Sequence, residues 1–566
     1  MSLVLDSHTV FASLDHRAGS WLEEEEARAV AHVYRVRRRI NAVVPAIARL
    51  PPEVLLEIFS WARLADDSPS GTRWIAVSHV CQHWRNQAIC KPSLWTDLAP
   101  WSDAFLSLNV ARSANLPLTF RWTDAKARYQ PLLNYSSRCV SIEVILGEQR
   151  SMERFIRHFR DVAEPWSQLE SIIVELDRGK CEIDSPYFPE FLYTADQLPG
   201  FPRLQYLSLT NVFPTSWSTI SLHGNSLRTL YLSSQAASDV TSLPLASFWD
   251  MLSALPMLER LFLFDVAFSD RLPEHATAFP NPTRTIHLSR LRMLNVDMDH
   301  ACDIAHLLSP LQLPDTAVLA LERWDEDAEE SVLAVLPHDR SRLSGYVGSM
   351  GTIQLGHIGV PFVGVFVAVC TTAEDVPFSR FYAHCPSDSD SENLKAVATT
   401  VRKTLSHLPQ VFQGLSTLEL FLQSWKVLDI SSSEWVEIFR TLSPCLKSLV
   451  LVGDPDDQTC TSQDIEHLTF FLGLFTDHTA GIKIRAEVHS FDALASSVPA
   501  PVPGPLHDPL LPHLASLRFV SFGEPVQAAL QVAVLRYLAA RKSAALPPMR
   551  DLDFNDEPWD VEFSLQ

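Results

Sequence analysis

Apolar residues recur along this chain in two rhythms. The first is helical. Between Trp21 and Ile47, the residues Val30, Val33, Val36, Ile40, Val43 and Ile47 fall three or four apart, which gathers them into one stripe. Glu23–Glu26 open the segment, and Arg35 and Arg37–Arg39 follow, an order that suits the helix dipole. The spacing predicts a helix that Pro45 ends or bends. Its stripe is short for a sustained heptad array, so packing on its own protein is expected. A coiled-coil or partner helix is the alternative.

A compact helical unit follows. Pro51 and Pro52 fix the backbone where a helix begins, since proline lacks only an N–H that the first turn leaves unpaired. Leu55, Ile58, Phe59 and Ala62 are then expected on one face. Asp66–Gly71 breaks that helix. A second helical stretch places Val77, Val80, Cys81, Trp84 and Ala88 on one side. Lys91-Pro92-Ser93 turns the chain, and Leu94 and Trp95 return bulk to the core.

The second rhythm is L-x-x-L-x-L, expected on strands whose alternate residues point inward. Copies stand at Leu204/Leu207/Leu209, Leu227/Leu230/Leu232, Leu258/Leu261/Leu263 and Leu291/Leu294/Val296. Weaker ones precede them at Cys139/Ile142/Val144 and Leu169/Ile172/Val174. Others follow at Leu415/Leu418/Leu420, Leu446/Leu449/Leu451 and Leu514/Leu517/Phe519, with a degenerate one at Ile482/Ile484. Outside the interruption between Leu291 and Leu415, neighbouring copies start 23 residues apart (Leu204 to Leu227) to 35 apart (Leu169 to Leu204). Helical signals fill several intervals, at Leu245–Leu255, Cys302–Leu308 and Ser433–Leu442. A single strand–helix unit cannot bury its own inner face, whereas stacked units bury a continuous core.

Other stretches depart from this pattern. Residues 325–410 read as irregular, with an apolar window at Ile358–Cys370 that Pro361 interrupts. That window is too short to span a bilayer and suits one or two buried strands. Ser387–Glu392 is an acidic, solvated loop. Residues 496–509 form a proline-rich connection. The acidic end, Asp551–Gln566, is expected to cap the last repeat.

Composition narrows the function classes. Hydrophobic residues make up 46% of the 566, enough for large cores. A net charge of -21 repels phosphate backbones, so nucleic-acid binding is disfavoured. No basic leader precedes an apolar run at the start, and no membrane span is expected. The nine cysteines are odd in number, widely spaced and form no CxxC pair. Buried reduced thiols in the cytoplasm or nucleus account for them. Phosphate cradles and nucleophile elbows are missing. His79, Cys81 and His83 are close in sequence, but helix positions two apart do not face each other, so no metal site is expected. No cofactor is expected, no acid/base pair can be chosen, and the chain reads as a non-enzyme.

The stretch from Leu50 to Leu98 resembles an F-box. The residues that carry the likeness are Leu50-Pro51, Glu53, Val54-Leu55-Leu56 with Ile58-Phe59, Cys81 three before Trp84, and Pro92-Ser93-Leu94-Trp95. The arrangement is similar to F-box proteins of mushroom-forming fungi, which carry a preceding helix and an irregular leucine-rich body. The resemblance implies binding to a Skp-family adaptor, and through it to a cullin ubiquitin ligase. It assigns Leu50, Pro51, Val54, Leu55, Ile58, Phe59, Val77, Cys81 and Trp84 to the adaptor surface. Part of that set must instead be the module's own core, with Trp84 and Trp95 the foremost candidates.

The expected fold is α+β overall. Residues 1–48 carry the amphipathic helix, 49–98 a small all-α three-helix F-box-like module, and 99–566 an α/β leucine-rich-repeat-like solenoid with irregular insertions. The body departs from regular repeats, since Asn211 is an isolated near-match to the family's asparagine after the strand. Two functions compete with an unread third. In the first, the chain is a substrate-recruiting ligase subunit that grips an unknown target protein through its repeats. In the second, it is a scaffold whose helical unit caps the solenoid, with the strip around Leu55 and Phe59 sealed by the chain itself. An enzyme hidden in 325–410 is the distant third.

Overall fold

A computed structural model describes residues 7–43, 50–66, 73–98, 103–123, 134–147, 166–176, 201–214, 225–234, 244–269, 284–323, 331–337, 352–358, 363–370, 379–387, 393–412, 415–421, 432–442, 446–452, 514–520, 551–554 and 557–558, with a few isolated positions between them. The chain divides into two compact units. One comprises Met1–Cys181 with Phe201–Arg203, the other Glu182–Gly200 with Leu204–Gln566.

The first unit opens with helix α1, Ser7–Val43, which starts well before the expected Trp21. Its side chains are described from 21 to 40, and all of these residues are exposed. The expectation of a stripe packed on its own protein is therefore corrected. The stripe is narrow and bordered by glutamates and arginines. Pro45, Ile47 and the Val43 side chain lie outside the described residues.

Next come α2 (Pro52–Leu64), a 3₁₀ turn (Arg73–Ala76), α3 (Val77–Val80), α4 (Gln82–Ile89) and a second 3₁₀ turn (Pro92–Trp95). The chain then enters a parallel ladder of β1 (Asp97–Leu98), β2 (Leu118–Thr123), β3 (Cys139–Leu146) and β4 (Ser171–Leu176). Helix α5 (Asp103–Arg112) connects the first two strands. Alternate residues point inward, so Phe120, Ile142 and Ile172 form one buried row and Trp122, Val144 and Val174 the next. Phe155 meets Trp122 edge-on at 4.7 Å between ring centroids.

The second unit repeats this arrangement at greater length. Strands Tyr206–Thr210, Thr229–Ser233, Arg260–Phe264, Met293–Met298 and Val318–Arg323 lie side by side, all parallel and in register. Leu207, Leu230, Leu261, Leu294 and Leu319 make one inner row. Leu209, Leu232, Leu263, Val296 and Leu321 make the second, and every one of these side chains is buried. Helices Leu245–Ser253 and Ala301–Leu308 lie in the intervals where helical signals were read. The copy at Leu319/Leu321 is absent from the sequence reading because Thr316 stands where its first leucine would be.

Residues 325–410, expected to be irregular, instead contain three strands and a long helix. Ser379–Ser387 runs parallel to Val318–Arg323. Val363–Cys370 lies antiparallel to it, and Thr352–Ile358 antiparallel to that. The two reversals cancel. Thr352–Ile358 is therefore parallel to Thr417–Phe421, and the ladder resumes through Ser448–Val452 and Ser516–Val520. Helices Asn393–Val411 and Ser432–Leu442 accompany these strands. Asp551–Phe554 extends the ladder in parallel, and Glu557–Pro558 folds back antiparallel on it. The Ile482/Ile484 copy, residues 388–392 and the loop 496–509 lie outside the described residues.

A polar residue ends several strands, always two positions after the second inner leucine. Asn211 follows Leu209, Ser234 follows Leu232, and Asp265 follows Leu263. Each backbone N–H donates to the carbonyl of the next strand: Asn211 to Ser233 at 2.7 Å, Ser234 to Phe264 at 2.8 Å, and Asp265 to Asp297 at 2.8 Å. Asn211 and Asp265 adopt left-handed backbone, at φ 58° and 53°. Asn and Asp tolerate that region better than other residues with a Cβ. The isolated asparagine of the sequence is thus one member of a recurring turn.

Loss of hydration pushes the Asp265 carboxyl above its ordinary range, and the charge of Asp299 raises it further. A carboxyl raised in the folded state binds its proton more tightly there than in the unfolded chain. Its charge therefore destabilises the fold at neutral pH, and the penalty fades as pH falls through the raised value. Asp265 is exposed, which screens the effect, so Asp265→Asn, which keeps the turn geometry, is expected to raise the melting temperature at pH 7 only slightly. The gain should shrink on acidification, as followed by circular dichroism melts at a series of pH values.

Candidate functional site

Helix α2 is built to start sharply. Pro51 caps it and Pro52 occupies its first turn, while Leu55 N–H donates to the Pro51 carbonyl at 3.1 Å. Glu53 near the start and Arg63 near the end complement the dipole. Its two faces differ. Leu55 and Phe59 are both 0% exposed and pack in a core with Trp74, Ala88, Leu94 and Trp95. On the other face, Val54 is 45% exposed, Ile58 39%, Trp61 64% and Leu64 77%. Those four follow one another at intervals of four, three and three, which aligns them as a single apolar ridge.

Aromatic contacts lock the core beneath the ridge. Trp84 tilts against Phe59 at 5.2 Å, and Trp74 meets Trp95 edge-on at 5.2 Å. The Trp95 indole N–H donates to the Ala88 carbonyl at 2.8 Å, so its one polar group is satisfied in the interior. The Arg112 guanidinium of α5 lies 4.2 Å over the Trp95 ring. Arg63 leaves α2 to pair with Asp97 at 2.5 Å and donates to the Ser93 carbonyl. These contacts tie the module to the start of the β-ladder within the first unit.

The Cys81–Trp84 spacing has a local cause. Cys81 is extended, at φ −156°, and interrupts what the sequence suggests is one helical stretch. It caps α4, and its Sγ accepts the Trp84 N–H at 3.5 Å. A residue three before the tryptophan is thus the one placed to cap the turn that aims the ring at Phe59. His79 and His83 are both exposed. Among the described residues, no group of three or more His, Cys, Asp or Glu is placed to hold a metal ion.

The expected adaptor residues separate accordingly. Pro51, Val54 and Ile58 are exposed, and Leu50, Val77, Cys81 and Trp84 are half-buried, with Val77 and Trp84 packed against the core. Leu55 and Phe59 are corrected from the surface to the interior. Leu55 and Ile58 are three residues apart, only about 60° around the helix, so Ile58 stands at the border of the buried face and is exposed beside it. Trp61, Leu64 and the 57%-exposed Val80 are further exposed apolar residues of the module, outside the expected set. The signal for Trp61 and Leu64 was present in their spacing from Val54 and Ile58.

Residues 47–100 match the family model of the F-box-like domain. The match covers about a tenth of the chain and includes the whole of α2 through β1. No curated protein matches the chain. Among solved structures it is similar to the leucine-rich repeat-containing protein LegL7 from Legionella pneumophila, at 12% identity over 62% of this chain and 90% of that one, with a TM-score of 0.22.

A second surface belongs to the parallel ladder of the second unit. Opposite the leucine rows stand Ser208, Tyr231, Phe262, Asn295 and Ala320, and then Thr210, Ser233, Phe264, Asp297 and Glu322. Tyr231 lies 5.9 Å from Phe262 and 5.2 Å from Phe264 between ring centroids, and all three rings are half-buried. They form an aromatic patch with polar neighbours on both sides.

Cys81, Cys90 and Cys139 are unbridged. Only Cys139 of these is buried, and its burial pushes the thiol up; Cys90 is exposed, which corrects the expectation of uniformly buried thiols. Among the described residues, no helix is long and apolar enough to cross a membrane.

The two faces of α2 should respond differently to truncation. Phe59→Ala leaves a cavity under Trp84 and is expected to destabilise the F-box-like module by about 3–5 kcal/mol. Ile58→Ala on the ridge should stay within about 0.5 kcal/mol. Tryptophan-fluorescence urea titrations of the full chain compare the two.

Proposed function

We propose that the chain is a substrate-recruiting adaptor of a Skp–cullin–F-box ubiquitin ligase. The α2 ridge engages a Skp-family adaptor, and the repeat body holds a target protein. The observation that carries this is the coincidence of an F-box-like match with a helix whose outer face is apolar and uncovered. An amphipathic helix that lays such a face against partner helices is a recurring mode of recognition. Val54, Ile58, Trp61 and Leu64 supply the buried anchors, and Pro51 fixes the entry to the helix.

The chain itself performs no bond chemistry. It raises the effective concentration of a target's lysines beside a charged conjugating enzyme. The patch of Tyr231, Phe262 and Phe264 offers rigid aromatic anchors for the target, the residue types that dominate protein–protein hot spots. Such a complex would act in the cytoplasm or nucleus.

The scaffold reading has one specific observation in its favour. Leu55 and Phe59 are sealed by the chain itself, and Arg63, Trp95 and Arg112 fasten the module to the adjoining strands. That reading leaves the exposed ridge unexplained. The two are separated by binding.

Purified full-length chain should bind a Skp-family adaptor in pull-down and calorimetry. Ile58→Asp with Trp61→Ala should weaken that binding by at least about a hundredfold while leaving the urea midpoint unchanged. Leu50→Ala with Pro51→Ala should abolish co-purification with the body still folded. Wild-type chain that never co-purifies with the adaptor would leave the scaffold reading standing.

A further inference from the structure

The exposed helix α1 carries a heptad pattern that the adaptor reading does not use. With Leu22 taken as a d position, the a and d positions between 21 and 40 are Leu22, Glu26, Ala29, Val33, Val36 and Ile40. The helix runs through them without a break. Leu22, Val33, Val36 and Ile40 are between 43% and 60% exposed. Val30 borders the seam and is exposed as well.

The flanking charges identify the occupant. The e positions are Glu23, Val30 and Arg37, and the g positions are Glu25, His32 and Arg39. A parallel pair sets each g beside the partner's following e, which matches Glu25 with Val30 and His32 with Arg37. Neither is an opposite-charge pair. An antiparallel pair sets e beside e and g beside g. Glu23 then meets Arg37 and Glu25 meets Arg39, and two-fold symmetry makes each pair twice.

The same register aligns the apolar positions. Leu22 faces Ile40, Ala29 faces Val33, and Glu26 faces Val36 with the partner's Arg37 next in line. Glu26 is the one charged residue of the seam, and two-fold symmetry places it in two layers, where polar residues of this kind fix register and orientation. In the single chain Arg28 satisfies Glu25 at 2.8 Å and Glu24 at 3.4 Å within the helix. Pairing with Arg39 would add to that contact or replace it.

We propose that α1 is a self-association helix, and that a second copy of this chain covers its stripe by docking the same helix antiparallel. The four consecutive glutamates of its first half disfavour an anionic membrane as the alternative. The pairing would present two F-box-like modules and two repeat bodies in one complex. It uses no residue of the α2 ridge, so its failure and that of the adaptor reading are distinguishable.

Sedimentation equilibrium of the full-length chain tests this. The wild type is expected to dimerise at micromolar concentration. Arg37→Glu with Arg39→Glu should raise the dimer dissociation constant about tenfold or more, because both ends of the seam become acidic. Glu23→Arg with Glu25→Arg should do the same with basic ends. An equimolar mixture of the two variants should recover a heterodimer, since every flanking pair is again opposite in sign. Mutual rescue shows that the flanking charges of α1 meet across the pair and is independent of folding defects in either variant; the antiparallel orientation is checked by disulfide trapping, with Leu22→Cys linking to Ile40→Cys and not to a second Leu22→Cys. A wild type that stays monomeric through the micromolar range, including one that binds anionic vesicles instead, overturns the proposal. So does a dimer that either charge variant leaves unchanged, or a pair of variants that fail to rescue each other.

Discussion

A thirteen-residue helix carries apolar side chains on two faces, and the module has a core for only one of them. The inner face must be held firmly for the outer one to serve as a rigid handle. Fully burying Leu55 and Phe59 contributes about 1.5–3 kcal/mol each. Trp84, Trp74 and Trp95 surround them with little freedom to rearrange. With that face fixed, Val54, Ile58, Trp61 and Leu64 remain between 39% and 77% exposed. The same hydrophobic effect that folds the inner face makes the outer one a driving force for association.

The repeat body follows a related constraint on a larger scale. Each strand offers leucines on one side that its own unit cannot cover, and parallel stacking converts them into two continuous rows. The opposite side of the strands is mixed, with Ser208, Ser233 and Asp297 buried and the aromatic rings between them half-buried. On strands Thr229–Ser233 and Arg260–Phe264 that outer side carries Tyr231, Phe262 and Phe264 in contact. The polar residues that end the strands keep the turns short without a repeated asparagine, because Asn211, Ser234 and Asp265 all supply the same backbone N–H to a neighbour.

The ladder was legible in the sequence where leucine or another aliphatic held both inner positions behind an apolar lead, or where only the last position was aromatic, as at Cys139/Ile142/Val144 and Leu514/Leu517/Phe519. It was missed where the lead was not apolar or both inner positions were aromatic. Thr316 hid the strand ending at Arg323, and Phe120 with Trp122 hid β2. The segment 325–410 read as irregular because its strands carry no leucine repeat, and the central one, Val363–Cys370, is antiparallel to both neighbours. In the F-box-like module the elements were legible but the facing of α2 was not. Val54, Leu55, Ile58 and Phe59 are all apolar, so hydrophobicity alone could not say which pair faced inward. The pattern places Cys81 inside one helical stretch because a sequence does not show that the backbone is extended there. The exposure of α1 was not foreseen, since an amphipathic helix looks the same whether its cover comes from its own chain or another.

The central claim is that the α2 ridge is the docking handle for a Skp-family adaptor. Hydrogen–deuterium exchange of the full-length chain, with and without purified adaptor, tests it most directly. The account predicts slower exchange across residues 52–64 in the complex, together with a blue shift of Trp61 emission as the ring leaves water, and unchanged exchange in the strands of the second unit. A complex that forms while residues 52–64 exchange at the rate of the free chain would contradict it.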